Sequence, residues 1–164
     1  MKITLIPLKK RYLEFLRRIR NHPEINKYLY KDVKISKKAQ KKWYENYYLN
    51  NKTYLMFVLL DDKIPVGYGQ INHIDRANSS CEVGFCLSPE VQGKGYGGIL
   101  VKKIIDYAIK KLNLHRIYLE VFITNKRAIK LYEKCGFEKE GVLKDKIFKH
   151  NKFHDVLVMS IIVK

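Results

Sequence analysis

Residues 91–98 read Val-Gln-Gly-Lys-Gly-Tyr-Gly-Gly and run directly into the helix-like segment Ile-Leu-Val-Lys-Lys-Ile-Ile. Each glycine inside a helix costs about 1 kcal/mol relative to alanine, so selection for stability alone would not begin a helix this way. The backbone N–H groups at a helix start, together with the positive end of the helix dipole, bind anions. Residues 91–98 therefore predict an anion cradle between a strand and a helix, or else a tight turn with close packing.

Two familiar phosphate-binding motifs do not fit this loop. Gly93, Gly95 and Gly98 have the spacing of a dinucleotide-binding GxGxxG motif, but no acidic residue ends a following strand at the required distance. A Walker loop is excluded because no Gly-Lys-Ser/Thr closes the segment.

On both sides of the loop, hydrophobic periodicity and turn signals predict alternating strands and helices. The predicted helices are a first one ending near Asn21, then 36–50 capped by Ser36, about 97–112, and 125–135 closed by Gly136. The predicted strands are 53–60, 66–74, 80–87, 115–122 and 154–163. A strand meander followed by alternating strands and helices is typical of an α/β fold with a mixed central sheet, here as one domain over residues 1–164.

The composition predicts a globular protein with an anionic partner. The chain has 164 residues, a hydrophobic fraction of 46% and a net charge of +17. The basic residues are spread over the whole chain without a recognisable nucleic-acid module, so a phosphate-bearing small molecule is a better partner than nucleic acid. No apolar run reaches the ~18 residues of a membrane span, and three cysteines without CxxC spacing indicate neither disulfides nor a metal site. We expect a cytoplasmic protein without a metal.

A second segment indicates another anion contact. Asn125 and Tyr132 are seven residues apart and therefore fall on one face of the predicted helix. Lys126 and Arg127 occupy its first turn, where positive charge opposes the helix dipole. Their placement suggests contact with a bound anion, the alternative being a solvated surface on a very basic protein.

Together these two segments closely resemble the GNAT superfamily of acyl-CoA-dependent N-acetyltransferases. Gln92-x-x-Gly95-x-Gly97 matches the family's pyrophosphate loop, and Asn125 and Tyr132 followed by Gly136-Phe137 match its second motif. The resemblance extends from about Pro65 to the end of the chain. It implies a sheet that splays between the strand ending at Leu87 and the strand starting near Arg116, with acetyl-CoA in the wedge.

The resemblance also implies a set of cofactor contacts. Main-chain groups of one strand would bind pantetheine, and the loop and second motif would bind the diphosphate region. The residues are Phe85, Cys86, Leu87, Gln92, Gly93, Lys94, Gly95, Tyr96, Gly97, Gly98, Asn125, Lys126 and Arg127.

Acetyl transfer requires that the amine lose a proton and that the leaving thiolate gain one. Tyr132 matches the tyrosine that the family often uses as the acid toward sulfur. Glu82 and Glu120 lie on strands beside the expected wedge and are the candidate bases, Glu82 first, with Glu120 also on the substrate side. An ion-paired or solvated role remains open for each glutamate, and a core role remains open for Tyr132.

Within the superfamily, residues 19–36 and 138–161 resemble the aminosugar N-acetyltransferases of pseudaminic acid synthesis, which acetylate the 4-amino group of a UDP-linked 4-amino-4,6-dideoxy sugar. Arg20, Asn21 and His22, followed by Pro23, are the substrate-side candidates, although Ile19 stands where a Trp is expected. This resemblance implies an aminosugar acceptor, and the charge of +17, which repels a polyamine and attracts a diphosphate, adds modest support. Polyamine and ribosomal-protein N-terminal acetyltransferases, a non-catalytic acetyl-CoA-binding module and a basic RNA-associated protein remain alternatives, and a homodimer is a further expectation.

Overall fold

The computed structural model describes residues 2–32 and 34–164, with a seven-stranded mixed sheet at its centre. Numbered along the chain, the strands are β1 (Ile3–Pro7), β2 (Leu55–Asp61), β3 (Ile64–Asp75), β4 (Ser80–Leu87), β5 (Arg116–Phe122), β6 (Glu138–Lys149) and β7 (Lys152–Ile162). Their order across the sheet is β1-β2-β3-β4-β5-β7-β6. All neighbouring pairs are antiparallel except β4 and β5, which are parallel.

Helices pack on the sheet, as expected for the predicted α/β class. They are α1 (Leu13–Asn21), α2 (Pro23–Asn26), α3 (Lys37–Trp43), α4 (Tyr96–Lys110) and α5 (Lys126–Lys134). Ser36 caps α3 as predicted, since its hydroxyl accepts a hydrogen bond from the N–H of Ala39 at 3.1 Å. The predicted helix over 36–50 continues beyond α3 without a break, but its second half, Tyr44–Tyr48, is π-helical rather than α-helical.

Each face of the sheet carries its own hydrophobic cluster. On one face α4 buries Leu100 and Ile104 in a cluster that also contains Ile117 and Leu119 of β5. On the other face the N-terminal helices bury residues such as Leu16 against Met56 of β2. The α4 helix approaches the sheet closely at Gly69, where an added Cβ would lie 2.6 Å from Cγ1 of Ile104.

The sheet splits in its middle. The parallel ladder between β4 and β5 contains only the pairs Ser80–Arg116, Cys81–Ile117 and Glu82–Tyr118. Beyond them β4 stays paired with β3 as far as Leu87 but no longer with β5. The edge of residues 83–87 that faces β5 is therefore not used by the sheet, and the two strands enclose the wedge that the sequence predicts.

Two strands do not follow from the sequence patterns. β1 is short and only partly buried, so it lacks clear alternation. β6 is exposed along almost its whole length and is rich in charged residues, because it forms the outer edge of the sheet. Strands of this kind carry little hydrophobic periodicity, which is the signal on which the predictions depend.

Candidate active site

The glycine-rich loop forms an uncapped helix start. Gly93 and Gly95 have φ values of +85° and +89°, a region that favours glycine. Gly95 is the N-cap of α4, no side chain caps the helix, and its first turn contains no acidic residue. The first N–H groups of an α-helix have no partner inside the helix. The loop therefore presents free N–H donors and the positive helix end to an anion.

The second predicted anion contact lies beside this loop. The guanidinium of Arg127 donates a hydrogen bond from Nη1 to Oε1 of Gln92 at 3.2 Å. A Cβ added to Gly93 would lie 3.6 Å from Nη2 of the same arginine, whereas nothing lies within 4 Å of one added to Gly95. The start of α5 and the start of α4 thus form one cationic site with open space in front of Gly95.

A cavity of about 1730 Å³ runs from this loop through the wedge to the N-terminal helices. Ligand pockets usually measure roughly 300–1,000 Å³, so the cavity has room for a long cofactor and a second substrate. The predicted site residues that line it are Arg20, Glu82, Phe85, Cys86, Leu87, Gln92, Gly93, Gly95, Gly97, Gly98, Glu120, Asn125, Arg127 and Tyr132. The cationic loop, the unpaired edge of β4 and the size of the cavity all fit acetyl-CoA.

Tyr132 projects from α5 toward the wedge. Its ring packs against Phe85 of β4 and Phe137, with centroid distances of 5.7 and 5.9 Å. Burial raises the pKa of Tyr132, so its phenol stays protonated at neutral pH. Burial also raises the pKa of the nearby Cys86 thiol to about 12, which makes that cysteine a poor nucleophile. Tyr132 therefore lines the cavity with a protonated phenol, and Cys86 is a packed side chain.

Glu82 lies where the β4–β5 ladder ends. It is paired with Tyr118 of β5 on one side and Asn72 of β3 on the other. Its Oε2 lies 2.8 Å from Nδ1 of His73, which is largely exposed. Glu82 thus lies at the bottom of the wedge, and its neighbour His73 is exposed to solvent.

Glu120 is held by two partners. Tyr30 donates a hydrogen bond from its hydroxyl to Oε2 at 2.8 Å, and Lys146 donates from Nζ to Oε1 at 2.9 Å. Burial is the largest cause that raises the pKa of Tyr30, and the charges of Glu120 and Glu82 add to it. Both carboxylates therefore face the same region, but among the described contacts only Glu120 has a partner on each of its oxygens.

Arg20, predicted to contact the acceptor, lines the cavity near Tyr54. Within the described residues its guanidinium has neither a hydrogen bond nor an ion pair. Burial raises the pKa of Tyr54, and the positive charge of Arg20 opposes this increase. The hydroxyl of Tyr54 donates to Oε1 of Gln70 at 3.0 Å, so this end of the cavity is polar.

Several predicted site residues have other contacts in the structure. Asn21 and His22 do not line the wedge cavity: Asn21 exchanges two hydrogen bonds of 2.8 Å with the backbone of Ile35, and His22 caps α2 through Nδ1. The hydroxyl of Tyr96 bonds Asp61, which leaves its N–H for the loop.

The second motif is also only partly directed at the cavity. Asn125 is the N-cap of α5 rather than a member of its face, and its Oδ1 accepts from the N–H of Ala128 at 3.3 Å. Lys94 and Lys126 do not line the cavity.

Other residues at the site are not predicted from the sequence. His73, Tyr30, Tyr118 and Lys146 all line the cavity near the two carboxylates. They come from different parts of the chain, and no local motif connects them. Only the strand register and the path of the 22–32 segment bring them together.

Two absences hold within residues 2–32 and 34–164. The helices there are too short or too polar to cross a membrane. The same residues form no group of three or more His, Cys, Asp and Glu side chains suited to hold a metal ion.

Known proteins match this chain over most of its length. Residues 2–138 match the family model described as an acetyltransferase (GNAT) domain. The chain is 32% identical to spermidine N(1)-acetyltransferase of Vibrio cholerae serotype O1 over 162 residues, covering 98% of this chain and 93% of the relative. It is also 32% identical to the acetyltransferase PseH of Campylobacter jejuni subsp. jejuni over 133 residues, covering 79% of each.

A solved structure gives the same result for the fold. The crystal structure of spermidine N-acetyltransferase from Vibrio cholerae in complex with CoA and spermine superimposes with a TM-score of 0.93, covering 98% of this chain and 95% of that one. The predicted GNAT fold and the prediction of acetyl-CoA as co-substrate are thereby confirmed. The chain belongs to the GNAT acetyltransferase family and is an acetyl-CoA-dependent N-acetyltransferase.

Proposed function

We propose that this enzyme transfers the acetyl group to a primary amine of an aliphatic polyamine. The main support is the similarity, over nearly the whole chain, to a spermidine N-acetyltransferase whose structure contains CoA and spermine. The cavity fits such an acceptor locally, because Glu82 and Glu120 lie beside the rings of Tyr30 and Tyr118. Carboxylates and aromatic faces both attract alkylammonium groups. This replaces the predicted aminosugar as our first choice of acceptor.

The site residues then have defined roles. Bound acetyl-CoA supplies the thioester, and the edge of residues 83–87 offers it main-chain donors and acceptors. Glu82 takes the proton from the acceptor amine, since one of its oxygens has no hydrogen-bond or ion-pair partner among the described residues. Tyr132 donates its proton to the sulfur as the new C–N bond forms and the C–S bond breaks. Glu120, fixed by Tyr30 and Lys146, holds the acceptor side.

A UDP-linked aminosugar is the second candidate acceptor. Arg20 lines the cavity and has no carboxylate partner within residues 2–32 and 34–164, which is unfavourable for a polycation and suits a phosphate or a polyhydroxylated group. The net charge of +17 and the similarity to PseH support the same acceptor. A polyamine would be selected by the carboxylates of Glu82 and Glu120, whereas a UDP-linked sugar would be selected by Arg20.

An acceptor panel distinguishes these candidates. The purified chain is assayed for CoA release from acetyl-CoA with spermidine, spermine, a UDP-4-amino-4,6-dideoxy sugar and a ribosomal-protein N-terminal peptide. We expect kcat/KM for spermidine to exceed that for the UDP-sugar by about tenfold or more, a difference of roughly 1.4 kcal/mol.

The panel includes a matched variant. Arg20→Lys keeps the charge but loses the paired hydrogen bonds of a guanidinium. With a polyamine acceptor this variant should keep wild-type kcat/KM. Turnover of the UDP-sugar alone, with a loss of efficiency in Arg20→Lys, would overturn the polyamine proposal.

The cradle is tested at Gly95. Gly95→Asp places a carboxylate in the open space in front of the helix start, where the pyrophosphate would bind. We expect acetyl-CoA affinity, measured by isothermal titration calorimetry, to fall about tenfold or more, which is roughly 1.4 kcal/mol per decade.

The matched control for this variant is Gly95→Asn. Asn has nearly the same shape and tolerates the positive φ, so the difference between the two variants reports the charge. Equal affinities in both folded variants would mean that no anion binds at this helix start.

The role of Tyr132 is tested by Tyr132→Phe, which keeps the ring packing against Phe85 and Phe137 but removes the hydroxyl. If the phenol protonates the thiolate, kcat should drop by roughly 10²–10⁴ with little change in acetyl-CoA affinity. Since burial raises the pKa of Tyr132, the phenol stays protonated from neutral to alkaline pH and should cause no loss of wild-type kcat there. A variant with wild-type kcat would leave Tyr132 with a packing role only.

A further inference from the structure

We propose that His73 relays to solvent the proton that Glu82 removes from the acceptor amine. This inference rests on the proposed role of Glu82 as the base. His73 is separated from every motif in the sequence, and nothing in the family resemblance points to it. The structure places it next to the reacting region.

The first observation is the contact itself. Nδ1 of His73 lies 2.8 Å from Oε2 of Glu82, while the side chains are 74% and 22% exposed. Glu82 has no other hydrogen bond or ion pair within the part of the chain that the structure describes. One end of the pair thus borders the wedge and the other is in open contact with water.

The second observation is the backbone at His73. Asn72 is the residue of β3 that pairs with Glu82, so in a regular strand the next side chain would point to the opposite face. The register shifts between Asn72 and Asp75, and His73 has a φ of +48°. A positive φ is unfavourable for a residue with a side chain and is common at functional sites. This conformation brings the imidazole to the carboxylate.

The charged and titratable groups around Glu82 do not compete with His73 for its proton. Lys146 of β6 is bonded to Glu120 rather than to Glu82. The hydroxyl of Tyr30 is also directed at Glu120. Tyr118 of β5 faces Glu82, and the charge of Glu82 adds to the burial that raises the pKa of Tyr118, so this phenol stays protonated at neutral pH and does not act as a base. His73 is therefore the group in position to receive the proton.

The proton transfers balance. The amine proton passes to the carboxylate of Glu82 as the C–N bond forms, and Tyr132 supplies the proton that the sulfur takes up. In the resting pair Nδ1 of neutral His73 carries the proton and donates it to the carboxylate of Glu82. Once Glu82 is protonated, exchange of the exposed ring with water moves the His73 proton to Nε2, and Nδ1 then accepts the proton from Glu82 as Nε2 releases its proton to water. This restores the starting tautomer, and the Tyr132 phenolate takes up one proton from water, so the amine proton leaves through His73 and the enzyme ends each turnover in its starting protonation state. An imidazole is suited to this step because its ordinary pKa is near neutrality.

The test uses chemical rescue. His73→Gly removes the imidazole at a positive φ that glycine adopts without strain, so the fold should be retained. We expect kcat to fall about tenfold or more, with unchanged acetyl-CoA affinity, and millimolar imidazole in the buffer to restore much of the rate. Rescue of this kind is not expected for a purely structural role.

A second variant separates relay from orientation. His73→Gln keeps a hydrogen-bond donor for Glu82 but does not titrate, so it should be as slow as His73→Gly and should not respond to imidazole. The matched control is His150→Gly, because His150 is also exposed, has a φ of +51° and does not line the cavity. This control should keep the wild-type kcat with or without imidazole.

The outcomes are distinct from those of the acceptor panel. The assay uses whichever amine of the panel the wild type acetylates, so a different acceptor does not affect it. Loss of activity in Glu82→Gln with a wild-type rate in His73→Gly would leave Glu82 as base and overturn the relay. A wild-type rate in His73→Gln, or a loss in His73→Gly that imidazole does not restore, would also overturn it.

Discussion

The interruption of the β4–β5 ladder after Glu82 and Tyr118 is the feature on which the rest of the site depends. Parallel strands normally pair along their length, and unpaired backbone groups inside a sheet need another partner. Here the edge of residues 83–87 is left for a ligand, and the loop that follows β4 leads directly to the uncapped start of α4. One break in the sheet thus supplies both a strand edge for an extended ligand and an anion site at its end.

Positive and negative groups occupy different ends of the cavity, although the chain as a whole is basic. The cationic groups of Arg127 and the α4 start lie at one end, where a pyrophosphate fits. The carboxylates of Glu82 and Glu120 lie at the bottom of the wedge, where the proposed amine acceptor would be held and deprotonated. The net charge of +17 therefore supports an anionic acceptor only weakly, because the carboxylates beside the wedge favour a cation there.

The sequence predicts the cofactor half of the site better than the acceptor half. The loop of residues 91–98 and the α5 motif are contiguous, so their chemistry is visible in the residue pattern, and strands such as 80–87 are recovered with their observed bounds. The pairing of His73 with Glu82 and of Tyr30 with Glu120 depends on strand register and on contacts 9 and 90 residues apart, which no local pattern encodes. Asn21 and Asn125 are the reverse case, in which the motif predicts a ligand contact. In the structure their side chains instead make hydrogen bonds to a loop backbone and at a helix cap.

The most direct test of the wedge as the cofactor site is amide hydrogen exchange with and without acetyl-CoA. Because the edge of residues 83–87 and the first turn of α4 hold the N–H groups that the sheet and the helix leave free, binding should slow exchange there. The paired strands β1 and β2 should change little and serve as the internal reference. Protection confined to residues 83–87 and 95–99 is the result expected. Saturating acetyl-CoA that leaves exchange in both segments unchanged would contradict the assignment of the wedge.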